Sequence, residues 1–315
     1  MVTVGFDVGK RELVGVRIDR SVQAKESYRI TNNKETINTF LDKLTSKFRH
    51  LQICSEATAE YHKTLSLSCL EKGIKFYLLN PIATKQFTRA TVRKKKTDPS
   101  DALVIAKLRH QGEGRLVSEK DFQPAKMILR TSVKLANMAQ SLMLTKKRIE
   151  AHYPDEADSI AIIDHCLQTV SRGVKELRSK AKIEDCETVN LLCSIPGIGQ
   201  ITANTLIAEI IDIERFKSSK SLTAYSGLDP RVRQSGVTLQ RNTRLTKRGS
   251  PYLRRAIFMA TSIGLRHDPE LGAYYQKKRQ ESKSYKEAVV ATSKKLINRI
   301  YSVWKRRSPY VKVRI

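Results

Sequence analysis

The sequence lacks any stretch able to cross a membrane, because its 315 residues contain no run of about 18 apolar residues. Its N-terminus also lacks the basic segment, hydrophobic stretch and cleavage site that make a secretory signal. We therefore expect a cytoplasmic protein with no membrane partner.

Cysteine is scarce and follows no recognisable spacing. The five cysteines are odd in number and include no C-x-x-C pair. A disulfide framework or a zinc site would need paired thiols, so the pattern argues against both. We expect the thiols to be ordinary buried side chains.

Acidic residues are few beside basic ones. The chain has 31 Asp and Glu against 59 Lys and Arg, which leaves a net charge of +28. Residues 215–315 alone hold 25 basic and 5 acidic residues. Such an excess would repel itself unless a polyanion neutralised it, so nucleic acid is the predicted partner of this C-terminal third.

The N-terminal hydrophobic pattern predicts a mixed sheet. Three β-rich runs, at residues 2–6, 13–18 and 23–30, predict a meander. Helix and strand signals then alternate as far as residue 110, which gives the order βββαβαβα. A meander followed by right-handed βαβ units is how an α/β domain of the RNase H-like type is built.

The remainder is predicted to be helical. Ile128, Leu135, Leu142 and Ile149 recur every seven residues, so this helix is expected to form a coiled coil, either as an intramolecular hairpin or in a dimer. The predicted division is an RNase H-like domain over residues 1–114, a helical coiled-coil connector over 115–190, and a basic, mainly helical domain over 191–315.

Four carboxylates are placed where one site could form. Asp7 ends the first predicted strand and Glu56 follows the fourth, while Asp98 and Asp101 lie three residues apart at a helix start. Taken singly, each is more simply a cap, turn or solvated residue. Together they would repel one another unless a cation bound, and hard oxygen ligands suit Mg²⁺ or Mn²⁺ in phosphoryl transfer.

Two further motifs lie in the C-terminal third. The sequence Ile-Pro-Gly-Ile-Gly at 195–199 is typical of a helix-hairpin-helix, in which Gly197 and Gly199 let a phosphate approach the backbone. A tight helix connection without a ligand is the alternative. Basic residues that could contact phosphates follow at Arg231, Arg233, Arg241, Arg244, Lys247 and Arg248.

A serine in this basic loop could attack phosphate. Ser235 lies beside glycine and close to arginines that could stabilise charge on the phosphoryl oxygens. By chemistry alone Ser226 and Ser250 compete equally with it, and loop serines are usually turn formers.

The motifs resemble, in one order along the chain, those of the DEDD-type insertion-sequence transposases. They are GFDVGK at 5–10, SEAT at 55–58, KTDPSDA at 96–102, IPGIG at 195–199 and QSG at 234–236. The resemblance implies a RuvC-like domain in which Asp7, Glu56, Asp98 and Asp101 bind metal, a coiled-coil connector, and a C-terminal domain with Ser235 as nucleophile.

The resemblance also implies partners: donor and target DNA, and a structured noncoding (bridge) RNA that guides the recombinase. Cutting two duplexes implies a homo-oligomer, a dimer or a tetramer. Two other functions fit parts of the sequence. One is a metal-dependent junction-resolving nuclease in which water attacks, and the other is a noncatalytic nucleic-acid-binding protein.

Overall fold

The computed structural model describes residues 1–57, 60–90, 97–181, 183–230, 234–235, 238–239 and 245–311, with backbone alone for 89–90, 234–235 and 238–239. Two compact units divide the chain, Met1–Phe122 and Gln123–Ile315. Within the described residues, no helix is both long and apolar enough to span a bilayer.

The first unit is built on one mixed sheet. Its strands are β1 (Val2–Val8), β2 (Glu12–Ile18), β3 (Ala24–Thr31), β4 (Leu51–Glu56), β5 (Lys75–Leu79) and β6 (Arg115–Leu116). They are ordered β3-β2-β1-β4-β5-β6. The first three form the predicted antiparallel meander, whereas β4 runs parallel to β1 and β5 parallel to β4. This is the strand order of an RNase H-like domain.

Helices cover both faces of this sheet. The helices of the unit are α1 (Lys34–Lys47), α2 (Lys63–Glu71), α3 (Pro81–Ala90) and α4 (Asp98–His110), followed by a 3-10 helix at Glu119–Phe122. Ile37 of α1 and Leu65 of α2 pack with Phe6 in one cluster, whereas Ile105 of α4 packs with Cys54 in another. Successive side chains of a strand point to opposite faces of the sheet, so the cluster around Phe6 and the cluster around Cys54 lie on its two faces.

Strand β6 and the 3-10 helix extend the first unit beyond the predicted domain end at residue 114. Val117 donates its N–H to the carbonyl of Phe76 and is buried in the first cluster. The two-residue β6 carries too short a pattern to be detected in the sequence.

Helix α4 lies directly on strand β1. A Cβ added to Gly5 would stand 2.5 Å from both the carbonyl oxygen of Ala102 and the amide nitrogen of Ala106. Ala102 and Ala106 are themselves fully buried. Only the absence of a side chain on β1, facing small side chains on α4, permits this distance between helix and sheet.

We expect Gly5→Ala to destabilise the fold by about 1–3 kcal/mol, the usual cost of overpacking against backbone that cannot move aside. The control is Gly173→Ala, since a Cβ there meets nothing within 4 Å on a helix. That change should stabilise by about 0.5–1 kcal/mol. Urea unfolding followed by circular dichroism measures both, and an equal response of the two variants would contradict the close approach.

A long helical hairpin opens the second unit. Helix α5 (Pro124–His152) and helix α6 (Ala157–Lys180) are joined by four residues. They are tied by the Lys146 ammonium, which lies 2.6 Å from the Asp164 carboxylate. The heptad residues of α5 are half-buried. The two helices thus pack on each other within the chain, and a coiled coil formed by this region stays a prediction.

The rest of the second unit is a helical bundle with a short β-hairpin. Its elements are α7 (Cys186–Cys193), α8 (Gln200–Ile210), α9 (Ser219–Ser226), β7 (Gln234–Ser235), β8 (Thr238–Leu239), α10 (Pro251–His267), α11 (Pro269–Gln280) and α12 (Tyr285–Arg306). Leu192, Leu206, Leu253 and Ile297 are completely buried at its centre. The predicted boundary at residue 190 falls inside α7, so the structure shows no break there.

A buried ion pair joins the hairpin to this bundle. Glu209 of α8 is only 2% exposed, and it accepts bonds of 2.6 and 2.8 Å from the Nε and a terminal nitrogen of Arg130 on α5. The Arg130 guanidinium also lies over the Tyr252 ring. This bidentate geometry fixes how α5 crosses α8.

The cysteines only partly follow the expectation. Cys54 and Cys69 are buried and Cys193 is half-buried, whereas Cys166 and Cys186 are exposed. All five are free thiols, in agreement with the predicted absence of a disulfide framework.

Candidate active site

The carboxylates predicted from the sequence gather at one edge of the sheet. Asp7 is the penultimate residue of β1 and Glu56 the last of β4, and the parallel register that pairs Phe6 with Ser55 brings these strand ends side by side. Asp98 and Asp101 lie in the first turn of α4, the helix held against β1 at Gly5.

The negative charges of the other three carboxylates all act on Asp7. Its pKa is raised above the ordinary 3.8, first by burial and then by the negative charges of Asp101, Asp98 and Glu56. The Val8 N–H opposes this shift without cancelling it. Four like charges are therefore crowded around the end of β1.

Hydrogen bonds hold the elements that carry these residues. The buried Thr84 hydroxyl of α3 donates to Glu56, and at the start of α4 the Ser100 hydroxyl donates to the Thr97 carbonyl. Thr97, rather than Asp98, occupies the N-cap position. The capping explanation of Asp98 is therefore wrong, and its carboxylate belongs to the first turn of the helix.

The donor set suits a divalent cation by its chemistry, because all four groups offer hard oxygen atoms. Among the described residues, however, no three His, Cys, Asp or Glu side chains are close enough together to hold an ion. Binding would have to draw the carboxylates inward.

We expect the Asp7→Asn variant to be more stable than the wild type at neutral pH in the presence of a chelator. Because the native pKa of Asp7 is raised, the native state loses stability as pH rises above 3.8 and through that raised value, and asparagine never ionises. Thermal unfolding between about pH 4 and pH 8 measures the difference, which should vanish at the acid end.

Asp19→Asn is the matched control. Two bonds from Ser21 lower the pKa of this exposed turn residue, so its ionised form favours the native state above 3.8. Its replacement should give no gain in stability at neutral pH. A gain equal to that of Asp7→Asn would show that the crowding of carboxylates is not its cause.

The structure distinguishes the three serines that chemistry left equal. Ser226 is completely buried and donates to the Thr223 carbonyl, and Ser250 caps α10 by accepting from the Leu253 N–H. The backbone of Ser235 lies in β7, paired with Thr238. Two of the three hydroxyls thus have structural roles.

The two glycines of the predicted helix-hairpin-helix differ in how closely other residues surround them. A Cβ on Gly197, where φ is +92°, would stand 2.3 Å from the Ala260 carbonyl oxygen, so its first role is packing against α10. Gly199 is exposed with nothing within 4 Å of such an added atom. The open approach expected for a phosphate exists at Gly199.

The predicted basic contacts are described only in part. Lys247 and Arg248 are exposed residues of the second unit. The other predicted contacts lie outside the described residues: Arg231, Arg233, Arg241 and Arg244.

Sequence reasoning missed α3 and with it Thr84. The predicted order βββαβαβα has no helix at this position, although Pro is favoured in the first turn of a helix and Pro81 begins α3. That signal would have predicted the helix but not the hydroxyl's target, which depends on how α3 packs beside β4.

The strand order and the placement of the acidic residues define an RNase H-like, or RuvC-like, domain. Among solved structures, Thermus thermophilus RuvC in complex with a Holliday junction substrate matches at 15% identity and a TM-score of 0.30, over 37% of this chain and 99% of that one.

Two family models match separate parts of the sequence. A DEDD transposase model of the IS110 type covers residues 4–152, and the model described as Transposase IS116/IS110/IS902 family covers residues 189–276. Together the matches span most of the chain in the expected order. The chain belongs to the IS110/IS116/IS902 family of DEDD transposases.

Two relatives illustrate the family. The pilin gene-inverting protein of Moraxella bovis is 27% identical over 274 residues, or 83% of this chain and 82% of its own. The transposase for insertion sequence element IS1111A of Coxiella burnetii is 27% identical over 254 residues, or 69% of this chain and 65% of its own.

Proposed function

We propose that this transposase cuts and rejoins DNA strands, with Asp7, Glu56, Asp98 and Asp101 binding Mg²⁺, or Mn²⁺, at the scissile phosphate. The observation that carries the proposal is the crowding of these carboxylates around the end of β1. A bound divalent cation would relieve their repulsion and stabilise the charge that develops on the phosphoryl oxygens.

Within this site the residues have separate tasks. Asp7 is fixed by the sheet, and the α4 pair is fixed by the contact at Gly5. Thr84 restricts the rotation of Glu56 by its hydrogen bond. Because the backbone that carries them is held in place, only side-chain movements would be needed to draw these carboxylates onto a cation.

Ser235 is the proposed nucleophile. Its hydroxyl oxygen would attack the phosphorus while a base takes its proton. The bond from phosphorus to the 3′ oxygen would break, and transfer of that proton to the leaving oxygen would give a 3′ hydroxyl and a 5′-phosphoserine. Attack by a 3′ hydroxyl on that phosphoserine would reform the DNA strand and return the proton to serine. The structural roles of Ser226 and Ser250 favour Ser235 over its rivals.

The proposed partners are donor and target DNA, a guide RNA, and further copies of the chain as a dimer or tetramer. The names of the relatives, a gene-inverting protein and a transposase, support action on DNA. The guide RNA and the 5′-phosphoserine rest on the resemblance of the sequence motifs.

We expect Asp7→Asn and Asp101→Asn to abolish strand cleavage while the protein stays folded and still binds DNA. Each change removes one ligand charge, so calorimetric titration with Mn²⁺ should show weaker binding by both variants. Asp19→Asn, a change of the same type on an exposed turn, should cleave and bind Mn²⁺ normally. Cleavage at the wild-type rate by both site variants would rule out this carboxylate site.

The covalent step separates the recombinase from its rivals. A DNA substrate with a break opposite the cleavage site should trap a protein–DNA adduct, which peptide mass spectrometry would place on Ser235. Ser235→Ala should lose the adduct and recombination but keep Mn²⁺ binding, whereas Ser226→Ala should form the adduct.

Other outcomes identify which rival applies. Cleavage by Ser235→Ala that releases free 5′-phosphate ends would identify water as the nucleophile, and with it a junction-resolving nuclease. Absence of any cleavage by the wild type with Mg²⁺, donor and target DNA, and the RNA that copurifies with the protein would favour a noncatalytic binding protein.

A further inference from the structure

A cleft of about 590 Å³ lies in the second unit, remote in sequence from the carboxylates. It is bounded by the C-terminal part of α6, by α7 and by the start of α8. We call it the α6–α8 cleft, defined by Lys175, Arg178, Val189, Gln200 and Asn204. No motif of the sequence analysis included its α6 residues.

The charge in this cleft has one sign. Its only charged lining residues within the described chain are Lys175 and Arg178, which lie three positions apart and so on one side of α6. Neither forms an ion pair with any described residue, and the buried Nε of Arg178 has no hydrogen-bond partner among them.

Two other arginines of the same unit, both largely buried, have carboxylate partners. Arg130 is paired with Glu209, and Arg299 with both Asp268 and Glu270. A partly buried guanidinium without a counter-ion costs free energy, so the pair in the cleft is suited to an anion from outside the chain.

The remaining lining fits a sugar-phosphate backbone. Ala181, Ile183 and Val189 are at most 8% exposed and give the cleft an apolar floor, on which a sugar ring can pack. Gln200 and Asn204 add amide groups from α8. The exposed Gly199 precedes that helix, and no side chain caps its first N–H groups within the described residues.

We infer that the α6–α8 cleft binds the phosphodiester backbone of a nucleic acid, with Lys175 and Arg178 as its phosphate contacts. This inference rests on the proposed action on DNA for its choice of partner. The cleft would therefore be a DNA-binding site in the second unit that does not depend on the carboxylates of the first unit.

The test compares two charge-matched double variants of the full chain. Lys175→Gln with Arg178→Gln removes both cleft cations, and Lys147→Gln with Arg148→Gln removes two exposed cations of α5 outside the cleft. Glutamine is a good helix former, so both variants should keep the wild-type circular dichroism spectrum. Fluorescence anisotropy gives the dissociation constant of a short DNA duplex over a range of NaCl concentrations.

The cleft variant should reduce the magnitude of the slope of log K against log[salt] by about 1.8, since each duplex phosphate contact contributes ~0.9. The control variant should leave that slope unchanged. An equal fall for both variants, or no fall for the cleft variant, would overturn the inference.

A direct readout follows the Nε–H signal of Arg178 in a ¹H–¹⁵N spectrum. It should move on addition of the duplex and, at higher concentration, of inorganic phosphate. A response to phosphate alone would show a site for small anions and overturn the inference. Because cleavage by Asp7→Asn tests the carboxylates separately, failure of the catalytic proposal would leave this result standing.

Discussion

The close approach of α4 to β1 is the constraint on which the acidic site depends. A strand normally keeps a helix at a distance set by its side chains, but Gly5 has none and meets the buried Ala102 and Ala106. This contact sets the height of the first turn of α4 above the sheet. Asp98 and Asp101 therefore reach the end of β1 because a residue with no chemistry of its own lies two positions before Asp7.

The sequence predicted the architecture well where a local pattern determines it. The β meander and the alternating helices and strands after it follow from hydrophobic periodicity. Each of these signals is contained in a short stretch of consecutive residues. Strand β6 was missed because two residues are too few to show a pattern. Helix α3 was missed because it begins almost directly after the strand β5.

The roles of individual residues were harder to predict, because they depend on packing between distant segments. Gly197 resembles a phosphate-binding glycine, yet its backbone is pressed against α10. The nearness of Asp7 to Glu56 was easier to predict, since parallel strands end at one edge of a sheet, whereas the position of Asp98 and Asp101 depends on the packing of α4 at Gly5.

Asp268 is buried and Asp7 half-buried, and the two show how differently one fold can surround a carboxylate. Burial would raise the pKa of Asp268, but the Leu271 N–H, the Tyr310 hydroxyl and Arg299 together hold it below 3.8. Burial also raises the pKa of Asp7, and there the other charges add to the shift, since all are carboxylates. The fold thus surrounds Asp268 with hydrogen-bond donors and a guanidinium, whereas burial and neighbouring carboxylates are the main influences on the pKa of Asp7.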